Sequence, residues 1–291
     1  MKSNTNYNAT YNATILQGSP LIHSKLRQAM HLKLPLLLLL GLNTVLMTTQ
    51  SHAAESYTAC TANEMKQIIQ KHRLPLDTEF ITDDSAKKFN PYACIKLPAQ
   101  NQTVFAYTSK SNPIENSTDD QLSILLLSPK LKLHGRYDQK DFIDAGEFKY
   151  KGIRLENVPF STLGDTTVLG LIVAYQKSGE LTTETHKLSL FQIIKNNQFK
   201  VVLKDFPARS WNSEYFNEEC GNVYANGYNR KIKLSDQVHH GLQDVITLTS
   251  KWKRIAVKKD CSSKVGGGGN LEFILKYDGQ QYSFDETQLP Q

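Results

Sequence analysis

The segment from Trp211 to Asn229 has the composition most suited to recognition, because it holds five aromatic residues and five asparagines around Cys220. Aromatic rings pack against sugar rings, and asparagine amides both donate and accept hydrogen bonds with hydroxyl groups. Tryptophan and tyrosine also anchor many protein interfaces. The composition predicts a binding surface, or else a long loop whose rings cover a disulfide. The predicted binding residues are Trp211, Tyr215, Phe216, Tyr224, Tyr228 and, further along the chain, Trp252.

Three glutamates of the same segment, Glu214, Glu218 and Glu219, could supply the paired carboxylates of a glycoside hydrolase. The stereochemistry of that reaction depends on the distance between the two carboxyl groups, which a sequence does not give. Adjacent glutamates in a loop are usually solvated. Binding of an envelope protein or glycan is therefore the leading hypothesis, and hydrolysis of a cell-wall glycan is the alternative.

His239 and His240 precede Gly241 and Asp244, and imidazole and carboxylate groups are common metal ligands. Neighbouring side chains of an extended strand point to opposite faces, so both histidines would bind one ion only from a turn. No third ligand stands at a recognisable spacing, and the sequence contains no G-x-S-x-G nucleophile motif. We therefore predict no catalytic residue, no metal site and no cofactor, and the histidine pair is expected to shape the entry to a strand.

Four lysines and one arginine surround Trp252 in the sequence KWKRIAVKK. This basic patch could bind an anionic partner such as lipopolysaccharide, a teichoic phosphate or an acidic protein. It could also be the solvated edge of a sheet, where lysines oppose aggregation, and this interpretation is the simpler one. The four glycines at 266–269 lack the Lys-Ser/Thr pair of a phosphate-binding loop, so they predict a flexible connector.

The charge balance excludes a dedicated nucleic-acid-binding protein. The chain of 291 residues has 34 basic and 28 acidic residues, but residues 1–53 hold four of the basic residues and none of the acidic ones. The remaining net charge of +2 is too small for the concentrated basic surface that phosphate binding requires. A hydrophobic content of 40% with 21% charged residues predicts a packed globular core.

An apolar run at residues 34–47 follows Lys33 and is succeeded by small residues up to Ala54. This pattern predicts a secretory signal peptide over residues 1–53, cleaved after Ala53 or Ala54. An uncleaved anchor would need a longer apolar run to cross about 30 Å of hydrocarbon. The exported chain is therefore expected in the periplasm, without a transmembrane anchor after cleavage.

The first 29 residues are polar and precede Met30, which would itself begin a signal peptide of ordinary length. The translation start is therefore expected at Met30, with the upstream residues as a non-native extension. The alternative is an unusually long polar region at the start of the signal peptide. Both interpretations give the same mature protein.

All four cysteines follow the predicted cleavage site, and pairing is the default in an oxidising compartment. Three connectivities are possible. The sequential pairs Cys60 with Cys94 and Cys220 with Cys261 are favoured because each pair brackets a self-contained stretch of chain. Zinc binding is the weaker interpretation, since the chain has no C-x-x-C motif and no histidine at ligand spacing from a cysteine.

A helix is predicted after Cys60, where Thr61 and Glu64 form a capping box and Pro75 stops the helical pattern. Its apolar face consists of Met65, Ile68 and Ile69. Residues 54–98 are accordingly predicted to be a helical segment held by a disulfide. A segment of this length could hardly bury a core alone, so we expect it to pack on the domain that follows.

Residues 99–291 are predicted to form one antiparallel β domain, because short apolar runs alternate with turn residues. Asn196 and Asn197, and likewise Asp278 and Gly279, are typical of type I′ hairpin turns. The predicted fold class is mainly β (α+β), with antiparallel sheets, a short N-terminal helical segment and two disulfides. The expected strands lie near residues 103–108, 122–127, 131–137, 147–158, 168–176, 187–194, 198–204, 229–234, 243–257, 271–277 and 281–284.

The succession HKLSLFQ, FKVVLKDF, Trp211, Cys220, RKIKL, HHGLQDV, Cys261 and KYDGQQY resembles the C-terminal half of uncharacterised exported proteins of Gram-negative bacteria. The likeness spans about residues 165–286 and implies a periplasmic location and no known activity. The strand cadence is also similar to single blades of FG-GAP-type propellers. Their Asp-rich calcium loop is missing from this sequence, which argues against a full propeller.

Overall fold

A computed structural model describes residues 57–79, 81–83, 88–98, 100–110, 120–142, 148–158, 167–179, 181–217, 221–256 and 263–289. The predicted signal peptide and Met30 lie outside these ranges. Within them, no helix is both long enough and apolar enough to span a membrane.

The fold is mainly β, with one α-helix and two antiparallel sheets. The first sheet has the strand order β1-β2-β3-β4-β5, and the second has β6 to β12 in chain order. The helix α1 covers Ala62–His72. The strands are β1 Thr58–Ala59, β2 Tyr92–Leu97, β3 Gln102–Lys110, β4 Asp120–Leu127, β5 Leu133–Gln139, β6 Lys149–Asn157, β7 Thr167–Lys177, β8 Leu181–Ile194, β9 Gln198–Asn217, β10 Gly221–His239, β11 Leu242–Ala256 and β12 Ser263–Leu275.

The predicted helix is confirmed, and its capping box is formed as expected. The Glu64 backbone N–H donates to Thr61 Oγ1 at 3.3 Å, and the Thr61 backbone N–H donates to Glu64 Oε2 at 2.8 Å. The helix ends before Arg73, which adopts a left-handed conformation with φ 50°. The apolar face of α1 packs on one face of the first sheet, against Phe105 and Leu125.

The disulfide between Cys60 and Cys94 is present, with an S–S distance of 2.02 Å. It joins Cys60, two residues before the start of α1, to the middle of β2, and both cysteines are almost fully buried. This bond confirms the first predicted pair. Cys220 and Cys261 lie outside the described residues.

The main core fills the space between the two sheets. Its side chains come from the second face of the first sheet, such as Val104 and Leu126, and from β6 to β8, such as Leu171 and Phe191. A second core lies where the C-terminal residues 276–289 cover other residues of the second sheet, including Val202 and Leu203. The first sheet is therefore packed on both faces, by α1 and by the second sheet.

Three sequence-based expectations are wrong: the glycine connector, the strand at 281–284 and the type I′ turn at Asp278 and Gly279. The glycine run at 266–269 belongs to β12 and is not a connector, because Gly266 and Gly267 pair with β11 and the ladder resumes at Asn270 after a register shift. Residues 281–284 form no strand and contribute only a bridge between Tyr277 and Tyr282. Between these two residues the chain makes a four-residue turn, held by Asp278 Oδ1, which accepts from the backbone N–H groups of Gln280 and Gln281. The Asn196–Asn197 turn has the expected positive φ values of 69° and 60°.

The helical disulfide-stapled segment also contributes strands. β2 pairs with β3 along its whole length, from Tyr92 with Tyr107 to Leu97 with Gln102. This pairing crosses the predicted boundary at residue 98 and makes the segment part of the first sheet, which accords with the expectation that it packs on the domain behind it.

Candidate functional site

Two tryptophans of the second sheet flank one glycine in adjacent strands. Trp211 of β9 pairs with Gly227 of β10, and Gly227 pairs with Trp252 of β11. Side chains directly opposite one another in an antiparallel ladder lie on the same face. Trp211 and Trp252 therefore share one face, with two strand spacings, or about 10 Å, between their backbones.

Gly227 allows this arrangement because a side chain at its position would collide with β9. A Cβ atom placed on Gly227 would lie 2.3 Å from the Ser210 carbonyl oxygen and 2.7 Å from the Trp211 Cβ. On the other side of Trp252, the paired residue is Gly267 of β12, which also has no side chain. The row across the strands therefore has an indole, a gap, a second indole and a second gap.

Polar residues lie on either side of this row. Glu184 of β8 pairs with Trp211, and the positions two residues along β9 from Trp211 are Arg209 and Ser213. The corresponding positions on β11 are Ser250 and Arg254. Ser213 is buried, so the groups beside the half-buried indoles are the Ser250 hydroxyl, the guanidinium groups and the Glu184 carboxylate, a combination that suits hydrogen bonding to a ligand whose ring lies against an indole.

Tyr224 and Tyr228 lie on the opposite face of β10 from the tryptophans, since they differ from Gly227 by an odd number of residues. Their rings already contact cations of the protein. The Arg230 guanidinium carbon is 3.9 Å from the Tyr228 ring centroid, and Lys253 Nζ is 5.0 Å from the Tyr224 ring centroid. The structure therefore brings two of the six predicted binding residues together on one face and places two on the other.

The other members of the predicted site belong to the same hairpin. Tyr215 and Phe216 are part of β9, and their side chains lie outside the described part of the structure. The same holds for the Glu214 side chain and for residues Glu218 and Glu219. The carboxylates of the hydrolase hypothesis therefore lie outside the described side chains.

A buried histidine lies beside the row, and no sequence pattern indicated it. His186 is 5% exposed, and its Nε2 is 2.7 Å from Glu184 Oε1. Its ring contacts Phe89 edge to face at a centroid distance of 4.7 Å, and Arg154 lies over the Phe89 ring. Burial lowers the pKa of His186 below its usual value, although the Glu184 carboxylate opposes this shift. The imidazole is therefore neutral near pH 7 and donates from Nε2–H.

We expect the stability of the protein to fall as the pH drops below about 6.5, the pKa of an unperturbed histidine. In that range the unfolded chain binds a proton at His186 that the folded chain does not, so acid favours unfolding. Melting temperatures measured from pH 7.5 to 5 should decline less steeply for His186→Gln than for the wild-type protein. Parallel declines would show that His186 does not titrate differently in the folded state.

His239 and His240 fit the structural interpretation of the histidine pair. His240 and Gly241 form the turn between β10 and β11, with φ values of 50° and 88°. His239 Nδ1 is 2.9 Å from Asp244 Oδ1, and the buried Asp244 carboxylate also accepts from the Tyr277 backbone N–H. Among the described residues, no group of three histidine, cysteine or acidic side chains could hold a metal ion.

A cleft of about 450 Å³ lies between α1 and the first sheet, lined by residues other than the tryptophan pair. Sequence reasoning did not indicate it, although Glu64 of the capping box lines it together with Lys96. Lys96 Nζ is 3.1 Å from Glu64 Oε1. Partial burial opposes ionisation of Glu64, but hydrogen bonds from the Thr61 backbone and from Lys96 lower its pKa overall. The ion pair joins the helix to β2, which gives this cleft a structural role.

The basic patch is not at the edge of the sheet, contrary to the simpler sequence-based interpretation. Lys251, Lys253 and Arg254 belong to β11, which lies between β10 and β12. Lys258 and Lys259 lie outside the described residues.

Comparisons with protein families, curated proteins and solved structures give no match for the chain.

Proposed function

We propose that this protein is a non-enzymatic binding module of the Gram-negative periplasm that recognises an envelope protein or glycan. The observation that carries the proposal is the row of Trp211, Gly227 and Trp252 across three strands. Tryptophans presented on a rigid sheet are the residues that most often dominate binding energy. The glycine between them leaves room for a ring or an apolar side chain of the ligand to contact either indole.

The location rests on two observations. The Cys60–Cys94 disulfide indicates an oxidising compartment outside the cytoplasm. The apolar run at residues 34–47 and the small residues that follow it support export by a cleaved signal peptide. The periplasm is the compartment of this kind that the likeness to exported Gram-negative proteins favours.

A second disulfide between Cys220 and Cys261 is part of the proposal. Cys220 lies in the connection between β9 and β10, and Cys261 lies in the connection between β11 and β12. β10 and β11 are adjacent and antiparallel, so the start of β10 and the end of β11 lie at the same end of the sheet. A bond between these connections would hold the strands that carry the two tryptophans. Peptide mapping of the unreduced protein checks this pair directly.

Capture of envelope components on the immobilised mature protein tests the proposed site. Replacing Trp211 or Trp252 by alanine should weaken retention of the bound component by at least tenfold, because each indole would leave the centre of the contact surface. Phenylalanine at the same positions should restore part of the affinity. Leu133→Ala, at an exposed position of β5, is the matched control and should bind as the wild type does.

Two outcomes contradict the proposal. Equal retention by the wild-type protein and both alanine variants would remove the tryptophan pair from the binding surface. Release of soluble sugar fragments from peptidoglycan, lost in a Glu214→Gln variant, would instead support the hydrolase hypothesis.

A further inference from the structure

The outer edge of β12 is unpaired in the described part of the chain. β12 is the last strand of the second sheet, and β11 pairs with its inner edge from Val245 with Leu275 to Ala256 with Ser263. At the opposite edge of the sheet, β6 is partly covered by Asn90, which exchanges two backbone hydrogen bonds with Ile153. The 13 residues of β12 thus present a row of backbone donors and acceptors that a further strand could pair with.

Apart from a register shift at Gly268 and Gly269, which have no partners on β11, the features that usually protect an edge strand are scarce in β12. It contains no proline, and its only charged residues are Lys264 and Glu272. Leu271 and Ile274 are 44% and 49% exposed, the highest values among the large apolar residues of the described chain. The four glycines at 266–269 are fully accessible and place no side chain in the way of an approaching backbone.

The glycine run also leaves two basic residues of β11, Lys251 and Arg254, beside this edge. A Cβ atom on Gly268 would lie 3.4 Å from the Lys251 Cβ, whereas the Lys253 side chain extends towards β10, where its Nζ is 5.0 Å from the Tyr224 ring centroid. Arg254 pairs with Val265, next to the glycines. Long basic side chains can extend across a strand that has no side chains of its own. One half of the edge is therefore basic and the other half, around Leu271 and Ile274, is apolar.

We propose that the edge of β12 binds an extended segment of a partner protein by strand addition, and that this segment is acidic where it lies beside the glycine run and apolar beside Leu271 and Ile274. Backbone hydrogen bonds supply affinity in this mode of binding, and alternate side chains supply specificity. The opposite charge of segment and edge also speeds association. The inference rests on the proposed function and names the class of partner.

The position of the edge links it to the tryptophan pair. Gly267 continues the row from Trp252, so a residue of the added strand opposite Gly267 lies on the face that carries both indoles. With no side chain on Gly267, that residue is separated from Trp252 by one bare strand. One face of the edge therefore adjoins the tryptophan pair, whereas Lys251, which pairs with Tyr228, lies on the other face.

Synthetic peptides test the inference on the whole mature protein. The probe is a fluorescent nonapeptide, Thr-Val-Thr-Val-Glu-Thr-Glu-Thr-Glu, whose antiparallel addition places its acidic half beside the glycines. The control peptide has lysine in place of each glutamate. We expect the acidic peptide to bind at least tenfold more tightly, to weaken as salt is added, and to slow amide hydrogen exchange at residues 266–275.

Two pairs of variants locate the contact. Ile274→Lys should weaken binding of the acidic peptide by at least tenfold, because a lysine on an edge strand opposes the addition of a further strand. Lys251→Glu should weaken binding by at least tenfold as well, because it reverses the charge beside the glycine run. The matched controls are Val238→Lys, at a 42% exposed position of β10, and Lys233→Glu, an exposed lysine of β10 away from the edge. Both controls should bind the peptide as the wild type does.

Several results would overturn the inference. These are equal binding of the two peptides, protection from exchange outside β12, or unchanged binding by Ile274→Lys. A wild-type dimer that Ile274→Lys converts to a monomer would assign the edge to a second copy of the chain. Capture of an envelope component that depends on the tryptophans but is unaffected by Ile274→Lys would leave the proposed function standing and reject the edge. Peptide binding at β12 without any tryptophan-dependent capture would support the edge and reject the proposed function.

Discussion

Replacing both Cys60 and Cys94 by alanine is expected to lower the free energy of unfolding by about 3 to 4 kcal/mol. The disulfide closes a loop of 34 residues, and opening that loop returns conformational freedom mainly to the unfolded chain. Both side chains are also buried against Met65 and Phe105, so their removal loosens the contact between α1 and the first sheet.

Urea unfolding followed by circular dichroism measures this loss, with the slope of the transition checked for constancy. A variant with Cys220 and Cys261 both replaced by alanine is the matched comparison, since it should leave the cluster around α1 intact. A loss below about 1 kcal/mol for the Cys60 and Cys94 variant would show that packing of α1 holds the segment without the covalent bond.

Replacing Gly227 by alanine is expected to destabilise the protein by about 3 kcal/mol and to abolish ligand binding at the tryptophan pair. The new methyl group would lie 2.3 Å from a backbone oxygen of β9 and 2.8 Å from the Trp211 Cα, and neither atom can rotate away as the end of a side chain could. β9 and β10 must therefore move apart, which displaces Trp211 relative to Trp252.

Gly179→Ala is the matched control, because the nearest atom to a Cβ there is the Leu181 carbonyl oxygen at 4.0 Å, an ordinary contact distance. Its unfolding free energy should lie within about 0.5 kcal/mol of the wild type. Thermal unfolding and ligand capture on the two variants check both expectations. A stable Gly227→Ala variant with unchanged binding would mean that the two strands do not approach as closely as the structure shows.

The elements with strong local signals could be predicted from the sequence. The capping box of Thr61 and Glu64 places the start of α1, and the apolar runs place the centres of β3, β4 and β7. β2 is not predicted, because the short segment YACIKL, which contains the second cysteine of the disulfide, falls within the segment 54–98 that the sequence predicts to be helical. Its strand conformation comes from pairing with β3, which is a tertiary contact.

The lengths of β9, β10 and β12 could not be read from composition. The segment around Trp211 is rich in asparagine and serine, and β12 contains four consecutive glycines, both unfavourable for strands in isolation. These residues are extended because each of the strands pairs with a neighbour over most of its length. Strand preference depends so strongly on the neighbouring strand that such residues resemble loops until the partner is known.

The candidate site, like the fold, could be predicted only in part from the sequence. Trp211 and Trp252 were each predicted as binding residues, but their common face depends on the register of two successive ladders. A shift of one residue in either ladder would put them on opposite faces. Tyr224 and Tyr228 belong to the same predicted group, yet their spacing from Gly227 puts them on the other face, where Arg230 and Lys253 contact their rings.

The strict chain order of both sheets has a consequence for how the protein reaches its folded state. Each strand pairs with a strand that is its neighbour in the sequence, so the ladders can grow one hairpin at a time. Most steps close a short loop at small entropic cost, and the exception is β1 with β2, whose connection contains α1. The second core is different, because Tyr277, Tyr282 and Leu289, which follow β12, complete it. Assembly can therefore start locally, but cooperative closure of that core needs the residues that follow the last strand.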